Sequence, residues 1–170
     1  MNNPPYILVD EMEKVVLAVK TALALPVLNY QYGYITELRE TLAAYDQTAQ
    51  FAAMKFPLIW LQQPFTINRD NWRYYGKVNN LQVFIINETG KTLKSKERMT
   101  SNFKPVINPI YYEFIKQLEI SKAFVYDYVN HNVTDRYYWG EDQFEILYDV
   151  FDCTHISGLS FKINNNLNCP

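Results

Sequence analysis

"FDCTHISGLSFKI", Phe151 to Ile163, is the stretch on which the fold turns. Leu159, Phe161 and Ile163 alternate with Ser160 and Lys162, the period-two pattern of a strand with one buried face. Ahead of them, Asp152, Cys153 and His155 crowd into four positions. These three are metal ligands, part of a Cys/His nucleophilic site, or ordinary residues at the mouth of a closing strand. Geometry favours the last. On one extended strand Cys153 and His155 point the same way but lie two strand rises apart, roughly 7 Å, beyond the hydrogen-bond reach that a thiol–imidazole pair needs. A structural zinc takes four Cys or His ligands, usually in close pairs. The remaining candidates, His131 and Cys169, stand singly in the chain.

Working outward, the chain divides into short elements. Leu8, Met12, Val15, Val16, Val19, Ala22 and Leu23 recur at helical spacing, with Asp10, Glu13 and Lys14 mostly on the other side. They predict an amphipathic N-terminal helix ended by Pro26. "VLNYQYG" reads as a strand closed by Gly33, and "YITELRETLAAYDQTAQFAAM" as a helix through Leu38, Leu42 and Tyr45. "KFPLIWLQQPF" is an apolar run between prolines and predicts a buried strand. "WRYYGKV" and "LQVFIIN" flank Asn79-Asn80, and Asn tolerates the left-handed conformation of tight turns, so a β-hairpin is expected there. Asn108-Pro109 reads as an N-cap and first helical residue, opening a second helix over residues 109–120 with Ile110, Phe114, Ile115 and Leu118 on one face. "AFVYDYV" reads as a strand and "DRYYWGED" as a loop or strand end. "LYDVF" and "GLSFKI" read as the last strands.

The expected architecture is therefore an α+β domain. A mainly antiparallel sheet is flanked by the N-terminal helix and the second helix around residues 109–120. The 170 residues suit a single domain spanning 1–170, with an N-terminal tail at 1–6 and a polar, mobile tail at 164–170. Fourteen Tyr are many for such a chain. Tyr joins a rigid apolar body to a polar tip and suits strand edges and protein interfaces.

Net charge is −2, which argues against tight nucleic-acid binding by the whole surface. Two Cys make no disulfide framework. The start "MNNPPYILVDEMEK" has acidic residues where a signal peptide has a basic region. Charges interrupt the most apolar stretch, Ile7 to Leu25, so no spanning helix is expected. These features lead to the expectation of an intracellular, soluble protein. There is no G-x-S-x-G elbow and no phosphate-binding glycine loop. Neither Glu113-x-x-Lys116 nor Glu88-x-x-Lys91 has the strand geometry of a nuclease magnesium site.

Charge is segregated. Lys91, Lys94, Lys96, Arg98 and Lys104 face a single Glu97 in one stretch, a net of +4. Glu141, Asp142, Glu145, Asp149 and Asp152 make a run of −5 without a basic residue. Either these are two solvated faces, or the basic arm of one copy meets the acidic edge of the next. Head-to-tail contact between different patches builds rings when the rotation closes, and charge sets its register and direction. The segment Lys91–Lys104 is expected as a long functional loop that could also touch phosphates of passing DNA, with weak, salt-sensitive contact.

The ordered blocks "VLNYQYG", "KFPLIWLQQPF", "LQVFIINETG", "INPIYYEFIKQLEISKAF", "HNVTDRYYWGED" and "FDCTHISGLSFKI" resemble phage head-to-tail joining proteins. These are tail-completion, tail-terminator or neck-ring proteins, and the likeness extends to versions from crAss-like phages. The resemblance spans Val27 to Ile163. It implies an α+β subunit in a homo-oligomeric ring of about six or twelve copies. It implies contact with portal or other neck and tail proteins, and passage of double-stranded DNA through the lumen without sequence-specific binding. It further implies a virion location, with no enzyme activity, cofactor, metal or membrane. Two alternatives from other classes remain: a small metal-dependent enzyme built on Asp152, Cys153, His155 and His131, and a monomeric protein-binding module.

Overall fold

Two 14-residue strands form the spine of the molecule: β4, Tyr75–Glu88, and β7, Phe151–Asn164, paired antiparallel along their length. The computed structural model describes residues 7–71, 75–125, 131–139 and 151–164. Each spine strand carries two shorter strands on its outer side. Beside β4 lie β2, Leu58–Gln62, and β3, Thr66–Asn71. Beside β7 lie β5, Phe124–Val125, and β6, Asn132–Trp139. Strand β1, Asn29–Gly33, runs parallel to β2 at the edge, and every other pairing is antiparallel. The α+β class and the mainly antiparallel sheet are as the sequence predicts.

The quoted stretch is one unbroken strand, and its alternation changes phase midway. Asp152, Thr154 and Ile156 share a face with Leu159, Phe161 and Ile163, so the count slips by one at Ser157-Gly158. The partner strand slips by one at Asn79-Asn80. Each spine strand therefore carries one extra residue, a β-bulge, and the two bulges restore the register. Gly158 at φ +74° and Asn80 at φ +53° supply the left-handed conformations. This corrects the expected hairpin: the local signal at Asn79-Asn80 was a left-handed residue, which a bulge needs as much as a turn does.

Helix α1, Leu8–Ala22, lays Leu8, Met12, Val15, Val16 and Val19 into the main core. It ends before Pro26 in a Schellman turn, with Ala24 left-handed at φ +49° and Leu25 N–H donating to Lys20 C=O at 3.0 Å. On the same face packs a helical stretch longer than expected. It runs from α4, Ser95–Arg98, through a π-helical segment, Met99–Ile107, into α5, Asn108–Ile120. From Ser95 on, the basic segment is thus helix and not loop, with only residues 91–94 left as turn and approach, and Asn108 lies inside a continuous helix and does not cap its start. Met99, Phe103, Ile107, Ile110, Phe114 and Leu118 form its inner edge. Pro105 and Pro109 have no N–H to donate, and the widened π turns lie where those bonds are missing.

The opposite sheet face has its own smaller core. Helix α2, Ile35–Tyr45, places Leu38 and Leu42 over Leu58, Trp60, Phe84, Ile86, Phe151 and Cys153. A short α3, Ala49–Ala52, follows, with Thr48 Oγ1 accepting from Phe51 N–H at 3.2 Å. Among the described residues no helix is long and apolar enough to cross a membrane. Residues 1–6, residues 165–170, residues 126–129 of "AFVYDYV", and Leu147 to Val150 of "LYDVF" lie outside the described residues.

Candidate functional site

Arg98 and Asp152, assigned from sequence to two complementary surfaces, meet inside one chain. Both are buried, with Arg98 Nη1 3.1 Å from Asp152 Oδ1. The guanidinium also donates through Nε to Leu93 C=O (2.8 Å), through Nη1 to Thr89 Oγ1 (2.7 Å) and through Nη2 to Gly90 C=O (2.8 Å). Asn102 completes the cluster. Its Nδ2 donates to Asp152 Oδ2 at 2.8 Å and to Glu88 C=O at 3.1 Å, and its Oδ1 accepts from Asn87 Nδ2 at 2.7 Å. Burying two charges is tolerable only when their remaining hydrogen-bonding capacity is met, and this network meets it.

Backbone placement explains the lock. Asp152 faces Asn87 across the spine pair, on the side covered by the π-helical segment. Arg98 leaves the last turn of α4 and reaches back into the 89–93 turn that follows β4. The pair therefore ties the end of β4, the start of β7 and the root of the long helix to one another. Neither residue belongs to a surface. Lys91, Lys94, Lys96 and Lys104 do: all four are exposed. Glu97 accepts from the Lys94 backbone N–H at 2.8 Å, capping the helix start. The acidic candidates Glu141, Asp142, Glu145 and Asp149 lie outside the described residues.

The Cys and His divide as the sheet dictates. Cys153 is fully buried in the smaller core, and burial raises its thiol pKa well above the usual value. His155 shares that face and stacks flat on Phe84, with ring centroids 4.2 Å apart. Arg136 Nη2 donates to Nδ1 (3.2 Å), so the proton is on Nε2, which donates to Gln82 Oε1 at 2.6 Å. Burial, then the neighbouring Arg136 charge, lowers the imidazole pKa from 6.5 to about 4. A protonated thiol and a neutral imidazole with both nitrogens engaged are not poised as nucleophile and base. His131 is on the other face, its Nε2 2.9 Å from Tyr111 Oη on α5. Among the described residues no group of three Cys, His, Asp or Glu is placed to hold a metal.

Asn102, Asn87 and Thr89 were not foreseen. Their signal lay in an uncharged polar residue, Asn102, falling at a buried position of the helix ladder. Glu113, by contrast, is an ordinary helix-surface carboxylate. It accepts from Lys116 at 3.1 Å and Gln117 at 2.6 Å, and these bonds, that from Gln117 first, lower its pKa. No protein-family model and no curated protein matches this chain.

Proposed function

We propose that this chain is a structural virion protein, repeated as a ring at the junction of portal and tail, through which DNA passes. The observation that carries this reading is the presentation of the basic run. Lys91 in the turn after β4, Lys94 at the helix N-cap, and Lys96 and Lys104 on the helix stand exposed along an arm whose root Arg98 fixes to β7. An arm held rigidly spends little conformational entropy on docking. Exposed Tyr32, Tyr34, Tyr112 and Tyr137 add the residue type enriched at protein interfaces. The ordered blocks that resemble head-to-tail joining proteins supply the setting. In this setting the work is mechanical: matching neighbours, sealing the junction and leaving a passage.

Native mass spectrometry of the purified protein, with imaging of negatively stained particles, tests the ring. The expected result is a closed oligomer that dissociates as salt rises. Lys94→Glu, Lys96→Glu and Lys104→Glu together should shift it to smaller species, and Glu141→Lys with Glu145→Lys in the same chain should restore it. Arg98 stays out of that variant because its reversal would break the lock. An unchanged ring with unchanged salt dependence in the triple variant removes the arm from the interface. A wild-type protein that stays monomeric at every concentration and salt removes the ring and leaves a monomeric binding module.

A further inference from the structure

Strand β1 ends the sheet on the side away from β7, and among the described residues it pairs with β2 alone. Asn29 N–H donates to Pro57 C=O at 3.0 Å, and Gly33 C=O accepts from Gln63 N–H at 2.8 Å. Successive residues of a strand turn their N–H and C=O groups to opposite sides. Asn29, Gln31 and Gly33 therefore bond towards β2, and the N–H and C=O of Tyr30 and Tyr32 point to the outer edge. Folded proteins guard such an edge with Lys, Pro or a bulge. Strand β1 reads Asn-Tyr-Gln-Tyr-Gly and keeps an unshifted register with β2, so it carries none of these guards.

The edge opens into a cleft of about 440 Å³. Residues 28–31 form its floor, α1 forms one wall, and Tyr45 at the end of α2 lines the other side. Helices α1 and α2 pack on opposite faces of the sheet, so a cleft lined by both runs along the strand edge. On the α1 wall Asp10, Glu13 and Leu17 are exposed. Lys14 is engaged by Glu11 at 2.6 Å. Lys20 lies about 15 Å from Asp10 along the helix axis, which leaves the Asp10 end of the wall acidic. Tyr30 packs against the main core, its ring 6.3 Å from that of Tyr32. Its hydroxyl is buried and has no hydrogen-bond partner among the described residues. Burial first, then Tyr32, Glu13 and Asp10, raise its pKa above the usual value, which places both carboxylates close to the strand.

The geometry points to the β1 edge and its cleft as a docking site for an extended segment of another protein, added as a further strand and carrying Lys or Arg towards Asp10 and Glu13. Strand addition draws affinity from main-chain hydrogen bonds and specificity from alternate side chains. Tyr30 and Tyr32 offer the main-chain groups, Leu17 an apolar contact, and the two carboxylates the preference for a basic segment. Residues 1–6 of this chain, which lead into α1, are poorly suited to fill the edge, since Pro4 and Pro5 have no N–H to donate to a ladder. The site does not depend on a ring; at a portal–tail junction the segment would belong to a neighbouring neck or tail protein.

Amide hydrogen exchange of the full chain, read by NMR, tests the edge itself. The Tyr30 and Tyr32 amides should exchange at least about tenfold faster than those of Asn29 and Gln31. Equal protection means that the edge is already filled and overturns the inference; protection that vanishes as native mass falls to the monomer makes a second copy the occupant. Fluorescence anisotropy with a labelled seven-residue peptide of alternating Val and Lys tests the docking. The same peptide with Glu in place of Lys should bind at least about tenfold more weakly, and so should a version N-methylated at alternate residues, which cannot complete the ladder. Asp10→Asn with Glu13→Gln should weaken binding of the Lys peptide about fivefold. Tyr32→Pro removes an outward N–H and no bond to β2, and should weaken it by at least about fivefold. If Tyr32→Pro misfolds, the N-methylated peptide makes the same test on wild type. No binding of the Lys peptide at about 1 mM, or equal binding of either altered peptide, overturns the inference.

Discussion

The spine pair holds two facing pairs of charged or polar residues of opposite logic. At one end Asp152 faces Asn87 and receives Arg98 in a buried, multiply hydrogen-bonded cluster. At the other, Lys77 faces Lys162, with Lys77 open to solvent. The first spends its charges on holding three elements together. The second presents charge outward. Position on the strand and side of the sheet decide which role a charge takes, and a count of basic and acidic residues along the sequence cannot separate them. The basic run Lys91–Lys104 shows the same division around one helix start, where Arg98 points in and Lys94 and Lys96 are exposed.

The sharpest way to break that contrast is to remove one half of the buried pair. Arg98→Ala or Asp152→Ala leaves the other charge buried alone and should cost about 3–5 kcal/mol, measured by urea denaturation. Arg98→Met with Asp152→Leu removes both charges and should recover most of that loss, because apolar replacements of a buried pair are often neutral. By comparison, Lys77→Gln, at an exposed position, should change stability by less than about 0.5 kcal/mol. If the single lock variants are as mild as Lys77→Gln, the lock does not hold the arm.

The architecture was largely readable from local pattern, because each element carries its own signal. Leu8 to Val19 repeat at helical spacing, "PLIWL" is a buried strand, and Leu159, Phe161 and Ile163 alternate. What escaped was long-range. The ladder Met99, Phe103, Ile107, Ile110, Phe114 and Leu118 was present upstream of Asn108, but two prolines and a run of lysines masked it, and π spacing blurred its period. Asn79-Asn80 carried a true left-handed signal whose meaning depended on Gly158, 78 positions away. The Arg98–Asp152 pair joins residues 54 positions apart. Segregated charge suggested two surfaces, and only the fold could show that Arg98 and Asp152 had turned inward.

The imidazole of His155 offers a middle-sized effect with a defined pH window. Its pKa falls from 6.5 in the unfolded chain to about 4 in the fold, through burial first and Arg136 second. Between those values the unfolded chain binds a proton that the native state does not. Stability therefore falls as pH drops from 6.5 towards 4, is insensitive to this group above 6.5, and levels off below 4. With solvent screening of a half-buried ring, the loss should be on the order of 1–2 kcal/mol. Carboxylates titrate near the lower limit, so the measurement is a difference: wild type minus His155→Gln, from urea denaturation at intervals between pH 7 and pH 4. A flat difference means the stacked, doubly bonded ring does not resist its proton.

A smaller effect than that of the buried pair belongs to the bulges that keep both pairs on their proper faces. Gly158 at φ +74° has open space where a side chain would start, the nearest heavy atom to an added Cβ being Asn132 Nδ2 at 4.0 Å. Gly158→Ala therefore tests backbone conformation alone and should cost about 1 kcal/mol. Asn80 occupies the matching left-handed position, so Asn80→Gly should be neutral or slightly stabilising, whereas Asn80→Val should cost more than Gly158→Ala because a β-branched residue resists positive φ. If the two bulges act as a compensating pair, the losses of Asn80→Val and Gly158→Ala should not add, since once one bulge is lost the register past it is already wrong. A double variant whose loss equals the sum would mean that each bulge serves its own strand. The shared phase of Ile156 with Leu159, and of Val78 with Leu81, would then need another cause.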